Sequence, residues 1–407
     1  MNLTSLKFTI LIIILIFLTG SNAMCQNEAD FVMKAKALAE SGKTADALNI
    51  LDQGIEKKAT SRLFVQRAEI LLALKDLSGA TGGFNQANNI EEHSGDFGLA
   101  KVYALKGDAS TSLYHLGMHL ESGFKKSERD IMLEPAFSSI ENRPEWRQFW
   151  KKERYNSVEK NFAEVESLIL GKKFEDSKII LSEMKRNYPD NEETIYSEAL
   201  FNIGSGKYSE AVAGIIKLTT SDPVNEKYLR LLAKAQEGQL NYAGASETYT
   251  KLLVSGVADA RLLLSRAECF RKTKETEKAL GDINRFLELY SDDRSAISLA
   301  GKVEAESGDN LKALEYFSKN LKLHPDDADC YVDRANSYFA SKSWEWAARD
   351  YSMSLDLKPD NSDAWLNKGI ALISTGNVKD ACHDFKRSYA LGNQRASSYL
   401  SKNCIGR

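Results

Sequence analysis

His115 and His119 stand four residues apart, the spacing that places two imidazoles on one helix face where they could share a metal ion. The surrounding STSLYHLGMHLESG supplies neither the glutamate of an HExxH motif nor a third ligand. A packed or partly exposed histidine pair is therefore the expectation, with no metal site. His93, His324 and His383 stand alone. Among the five cysteines, Cys269 and Cys330 lie in separate segments and read as isolated buried thiols. The chain shows no P-loop, no GxGxxG after a strand, no GxSxG elbow and no CxxC pair. No catalytic group and no cofactor are expected.

Charge excludes another class. The formal net charge is -3, without the clustered basic surface that nucleic acid calls for. The N-terminus is more specific. Lys7 precedes FTILIIILIFL, which matches a signal-peptide core and is short of the roughly 20 apolar residues of a membrane span. Ala23 and Cys25 are small residues in the -3 and -1 places for cleavage before Gln26, so residues 1–25 are expected to be an export signal. The alternatives are an uncleaved membrane anchor, or lipidation of Cys25, against which the bulky Met24 counts.

The elements that must carry these residues follow from a ruler. LKPDN, LHPDD, NYPDN and SDPVN recur, with Pro359 lying 34 residues past Pro325 and Pro223 lying 34 past Pro189. Frames of that length start at 158, 192, 226, 260, 294, 328 and 362, without insertion through residue 395. Position 20 reads Ser177, Ala211, Ala245, Ala279, Ala313, Ala347 and Ala381. Position 8 reads Val165, Ala199, Ala233, Ala267, Gly301, Ala335 and Gly369, and position 24 is always large and apolar. Positions 4, 8 and 11, and again 20, 24 and 27, follow helical spacing. Each frame is thus a helical hairpin: small residues let the helices approach, and the large residue fills the space beside them. Gly206, Gly308 and Gly376 near position 15 turn the chain, and the proline phrase stops the second helix and caps the next.

Frames such as YVDRANSYFASKSWEWAARDYSMSLDLKPDN and WLNKGIALISTGNVKDACHDF resemble tetratricopeptide repeats. The resemblance implies an all-α, right-handed superhelical solenoid of helix hairpins with a concave inner face. Two blocks are expected. The N-terminal one, residues 26–120, holds about three repeats, marked by Phe31, Ala35, Ala47 and Leu51 and then Phe64, Ala68, Ala80 and Phe84. Residues 121–157 break the period and resemble a tail that closes such arrays, with Phe137, Trp146, Phe149 and Trp150 over the end of the block; a partner-binding role for the same aromatics is the alternative. Residues 158–395 hold the seven frames, and 396–407 read as a capping helix. The ending from Cys382 to Cys404 resembles that of exported bacterial repeat proteins that keep both cysteines, which implies a disulfide; two free thiols are the alternative.

In this family positions 2, 5, 9 and 12 of the first helix line the concave surface. Here the middle frames place Lys227, Arg230, Lys234, Arg261, Arg271 and Lys302 there, with Glu237 and Glu268 as exceptions. Apolar shoulders flank them: Phe162, Ile169, Tyr196, Leu200 and Ile203 on one side, Val332, Phe339, Leu366 and Ile373 on the other, with Asp329 and Asn336 interspersed. A groove of this kind is expected to hold an extended or helical partner segment, with acidic groups over the basic middle; ordinary solvated charge with family-typical apolar positions is the alternative. Val332 stands where a lysine would be required beside Asn336 for binding a chaperone's C-terminal carboxylate, so that specialisation is not expected. The expected role is a non-catalytic scaffold in a bacterial envelope, serving a secretion, outer-membrane assembly or motility complex from the periplasm or outer membrane. The alternative is a periplasmic solute- or glycan-binding protein.

Overall fold

A computed structural model describes residues 27–404, so the export signal and Cys25 lie outside the described residues. The described residues form 23 short α-helices and one 3-10 turn. Contacts divide the chain into two units, one of residues up to 157 with 256–259, the other of 158–255 and 260 onward.

The first unit holds three hairpins: α1 and α2 (Glu28–Glu40, Thr44–Lys57), α3 and α4 (Ser61–Ala73, Leu77–Ile90), and α5 and α6 (Asp96–Leu105, Ala109–Leu120). After them come α7 (Glu128–Met132), a 3-10 turn (Pro135–Ser139) and α8 (Pro144–Phe149). This irregular segment buries Ile131, Phe137, Ile140 and Trp146 against Leu113, Leu116 and Leu120 of α6. Phe149 and Trp150 pack on the same cluster, so the aromatics cover an apolar face the last hairpin would otherwise expose.

The second unit runs α9 (Ser157–Leu170), α10 (Phe174–Asn187), α11 (Glu192–Gly204), α12 (Tyr208–Ser221), α13 (Glu226–Gly238), α14 (Tyr242–Val254), α15 (Arg261–Lys272) and α16 (Thr276–Leu287). It continues through α17 (Arg294–Ser307), α18 (Asn310–Leu323), α19 (Ala328–Ala340), α20 (Trp344–Leu357), α21 (Ser362–Ser374), α22 (Val378–Ala390) and α23 (Ala396–Asn403). Every residue at position 20 is fully buried, and position 24 is buried throughout. Two hairpins show the fit most plainly. A Cβ on Gly301 would stand 2.4 Å from the Phe317 ring, and one on Gly369 2.6 Å from that of Phe385.

The proline phrases act through the residue two places on. Asn191, Asn225, Asp327 and Asn361 each accept hydrogen bonds from backbone N–H groups of the following helix, satisfying donors that a helix start leaves unpaired. At the far end Ala396 is buried beside Leu366 and Phe385, and Tyr399 stacks on Phe385 at 5.1 Å.

Candidate functional site

The stripe residues come from the first helix of each hairpin, but the structure gives them unequal freedom. Lys227 places its ammonium between the rings of Phe162 and Tyr196, 4.0 and 4.2 Å from their centroids, and so ties α13 to α11 and α9. Burial there pushes its pKa below the usual lysine range, against the opposing pull of Glu166 and Glu193. Burial, helped by the charge of Glu166, lifts the Tyr196 phenol to about 12. Tyr196 and Ile203 belong to the core, with Leu200 packed against it, so this shoulder is largely consumed by packing.

Most of the middle is neutralised. Arg230 pairs with Glu226 at 2.9 Å on its own helix. The Arg271 side chain, only 12% exposed, is clamped by Glu268 at 2.6 Å and by Glu306 of α17. Lys302 meets Asp333 of α19 at 3.2 Å. Arg261 is exposed, and Lys234 is exposed without an ion pair among the described residues. On the far shoulder Asn336 accepts a hydrogen bond from the Tyr351 hydroxyl at 2.7 Å, and Phe339 stands edge-on to Trp344 at 5.1 Å. Leu366 is fully buried.

Neighbouring groups therefore hold four of the six basic residues of the middle: the Phe162 and Tyr196 rings take Lys227, and carboxylates take Arg230, Arg271 and Lys302. What the stripe does form is a concavity of about 580 Å³ between α15, α17 and α19. Arg271, Ser295, Ser298, Lys302, Val332 and Asp333 are among its lining residues. Ser298 donates to Asp333 at 2.5 Å, and Arg294 reaches Asp327 at 2.6 Å. The surface is polar and of mixed charge, and each tie joins one hairpin to the next.

Sequence reading overlooked a second set of charges. Arg266 grips Asp282 with two bonds of 2.7 Å, Arg334 grips Asp350 at 2.6 and 2.9 Å, and Lys368 lies 3.4 Å from Asp384. These are positions 7 and 23 of the frames at 260, 328 and 362, and the recurring cation with Asp sixteen residues on was the available signal. The arginine forks satisfy both oxygens of a buried carboxylate. Burial raises the Asp384 pKa although Lys368 and His383 oppose it.

The two histidines diverge. His115 hydrogen-bonds Asp96 at 2.8 Å, as does His93, whereas the Nε2 of buried His119 accepts the Lys126 N–H at 3.2 Å. Burial would raise the Asp96 pKa, but bonds from His115, His93 and Asn88 outweigh it and hold the carboxyl low. Among the described residues no group of three His, Cys, Asp or Glu side chains is placed to hold a metal ion. Cys382 and Cys404 form a disulfide across 5.7 Å between Cα atoms, while Cys269 and Cys330 are buried free thiols. No helix among the described residues is long and apolar enough to cross a membrane.

Known proteins bear on this geometry. The tetratricopeptide repeat family matches residues 230–294 and 332–396, each stretch spanning about two frames. The chain is 30% identical over 115 residues to the DnaJ homolog subfamily C member 3 of Gallus gallus, which covers 28% of this chain and 22% of that protein. It is 23% identical over 159 residues to the BBSome complex member BBS4 of Xenopus tropicalis, 39% of this chain and 31% of that one. The chain therefore spans less than a third of these curated relatives. A crystal structure of a tetratricopeptide repeat protein from Parabacteroides merdae superposes with a TM-score of 0.51 at 18% identity, over 60% of this chain and 98% of that one. The fold is that of a tetratricopeptide-type solenoid, and the matched stretches are tetratricopeptide repeats.

Proposed function

We propose that the chain is a non-catalytic scaffold that holds a segment of a partner protein along the first helices of its second unit, within a bacterial cell envelope. The concavity between α15, α17 and α19 carries this reading. The first helices of three successive hairpins present there the side chains that hairpin packing leaves over, in the repeat type used for protein–protein contacts. Its charges are already paired, so recognition rests on matching hydrogen bonds and on Leu299 and Val332 in its lining rather than on a positive field. The export-type N-terminus supports an envelope location. The Cys382–Cys404 bond agrees, because disulfides persist in oxidising compartments. We propose that it serves there as an accessory subunit of a secretion, outer-membrane assembly or motility complex.

Photocrosslinking residues at Ser295, Ser298 and Val332, installed one at a time in the native host, test the groove. Exposed Ile179 and Leu311 on second helices serve as controls. One protein joined at the groove positions and absent from the controls is the expected result. Equal adducts at both sets would reject the assignment. Intact mass of the native protein tests the location: a chain beginning at Gln26 with only two titratable thiols is expected, and an unprocessed chain with reduced Cys382 and Cys404 overturns it.

A further inference from the structure

Unpaired positive charge lies elsewhere, on the segment that closes the first unit. A concavity of about 770 Å³ opens between α6 and α8 and the residues that follow. Leu113 and Phe149 contribute its apolar floor, and Arg147, Lys151, Lys152 and Arg154 surround it, with Glu145 the one carboxylate in the lining. The Arg154 guanidinium lies 3.9 Å over the Phe149 ring, and its buried Nε has no partner. Arg147 donates to the Asn142 carbonyl, and Lys152 reaches Glu121 at 3.4 Å with both side chains about two-thirds exposed, a pairing worth little in water. Lys151 is exposed and has no carboxylate partner among the described residues.

This differs from the groove in the respect that matters. There, carboxylates tie down most of the cations; here four cations face only Glu145 in the lining, and Glu121 reaches Lys152 alone across an exposed gap. A planar guanidinium stacked on an aromatic ring is fixed in place and keeps its edge for a carboxylate.

We propose that this concavity docks an acidic segment of a partner protein carrying an apolar anchor: an aromatic or large aliphatic side chain seats on Leu113 and Phe149, and flanking carboxylates meet Arg154, Lys151 and Arg147. The site stands on the first unit alone and survives or fails independently of the groove.

The test uses the mature full-length chain and a fluorescent peptide of sequence Glu-Asp-Phe-Asp-Glu. Anisotropy is expected to report binding that weakens by about tenfold in Arg154→Gln, the loss of one charge-assisted contact. Lys151→Gln, at an exposed position that leaves folding intact, should weaken it as well. Binding should collapse as ionic strength rises from about 0.1 M to about 1 M and the screening length falls from about 10 Å to about 3 Å. A peptide with alanine in place of phenylalanine should bind worse, and Lys234→Gln in the groove should bind as well as the parent. No binding at about 1 mM peptide, or equal loss in Lys234→Gln, overturns the proposal. So does tight association with phosphatidylglycerol vesicles that the peptide fails to displace, which would make the patch a lipid-binding surface.

Discussion

His119 is 2% exposed, and burial, reinforced by the Lys126 ammonium, lowers its pKa from 6.5 to about 4 against a weaker pull from Asp96. The folded protein therefore keeps this ring neutral where the unfolded chain protonates it. Its contribution to stability is intact above pH 6.5 and drains away as pH falls from there towards 4, by roughly 3 kcal/mol. Asp96, held below its ordinary value, matters only at lower pH, where protonation removes its bonds to His93 and His115. Urea unfolding followed through the first unit at pH 7 and pH 5 should show the loss in the parent and a much flatter response in His119→Leu. An unchanged pH dependence would clear His119 of the effect. The buried pairs predict a different signature. Arg334→Met strands Asp350, which is 3% exposed, and should cost about 3–5 kcal/mol. Arg334→Met combined with Asp350→Leu should recover most of it, because two well-packed apolar groups replace an ion pair at little loss. Thermal melts in which the double variant is no better than the single would refute that account.

At the scale of the hairpin, position 15 is left-handed in every frame of the second unit: Gly206, Gly308 and Gly376, but also Lys172, Leu240, Lys274 and Lys342. A side chain there crowds the following carbonyl at a cost of about 1–2 kcal/mol, which glycine avoids. Leu240→Gly is the cleanest probe, since Leu240 is 71% exposed and its removal empties no core. It should raise the melting free energy by about 1 kcal/mol, and a fall in stability would show that Leu240 packs to advantage. The fold was legible for the same reason this prediction is sharp. A residue type dictated by backbone geometry or by close helix approach must recur with the period, so the glycines, the position-20 alanines and the prolines announced the hairpins by themselves. The alternation of Gly301 with Phe317 and Gly369 with Phe385 was visible too, because a missing Cβ and an added ring occupy one volume. Arg334–Asp350 was harder: its partners lie on different helices across a turn, and only three frames carry the pair.

Across the second unit, three of the six basic residues that a one-face reading assigned to a partner, Lys227, Arg271 and Lys302, tie neighbouring hairpins together. Counting positions 2, 5, 9 and 12 collected the cations and missed Glu226, Glu306 and Asp333, which stand at positions 1, 13 and 6 and turn towards the same stripe. Periodicity identifies the helix face a residue occupies, but the partner of a long side chain depends on how the next hairpin is set against the first. A stack of repeats gains its stability from such nearest-neighbour contacts as well as from each hairpin's own core. Two groove substitutions that look alike in sequence should therefore behave differently. Arg271→Glu places a third carboxylate beside Glu268 and Glu306 at a side chain only 12% exposed, and, with those two partners half in solvent, should destabilise the unit by about 1–3 kcal/mol. Lys234→Glu alters an exposed, unpaired cation and should shift stability by no more than about 0.5 kcal/mol. Urea titrations of the two variants decide the matter before any binding experiment is interpreted. Equal, small effects would mean that the Arg271 clamp contributes nothing and that its positive charge is free for a partner. A large loss confined to Arg271→Glu would mean that reduced partner capture by that variant reports on the repeat stack, leaving Lys234→Glu as the variant whose binding defect speaks for the groove.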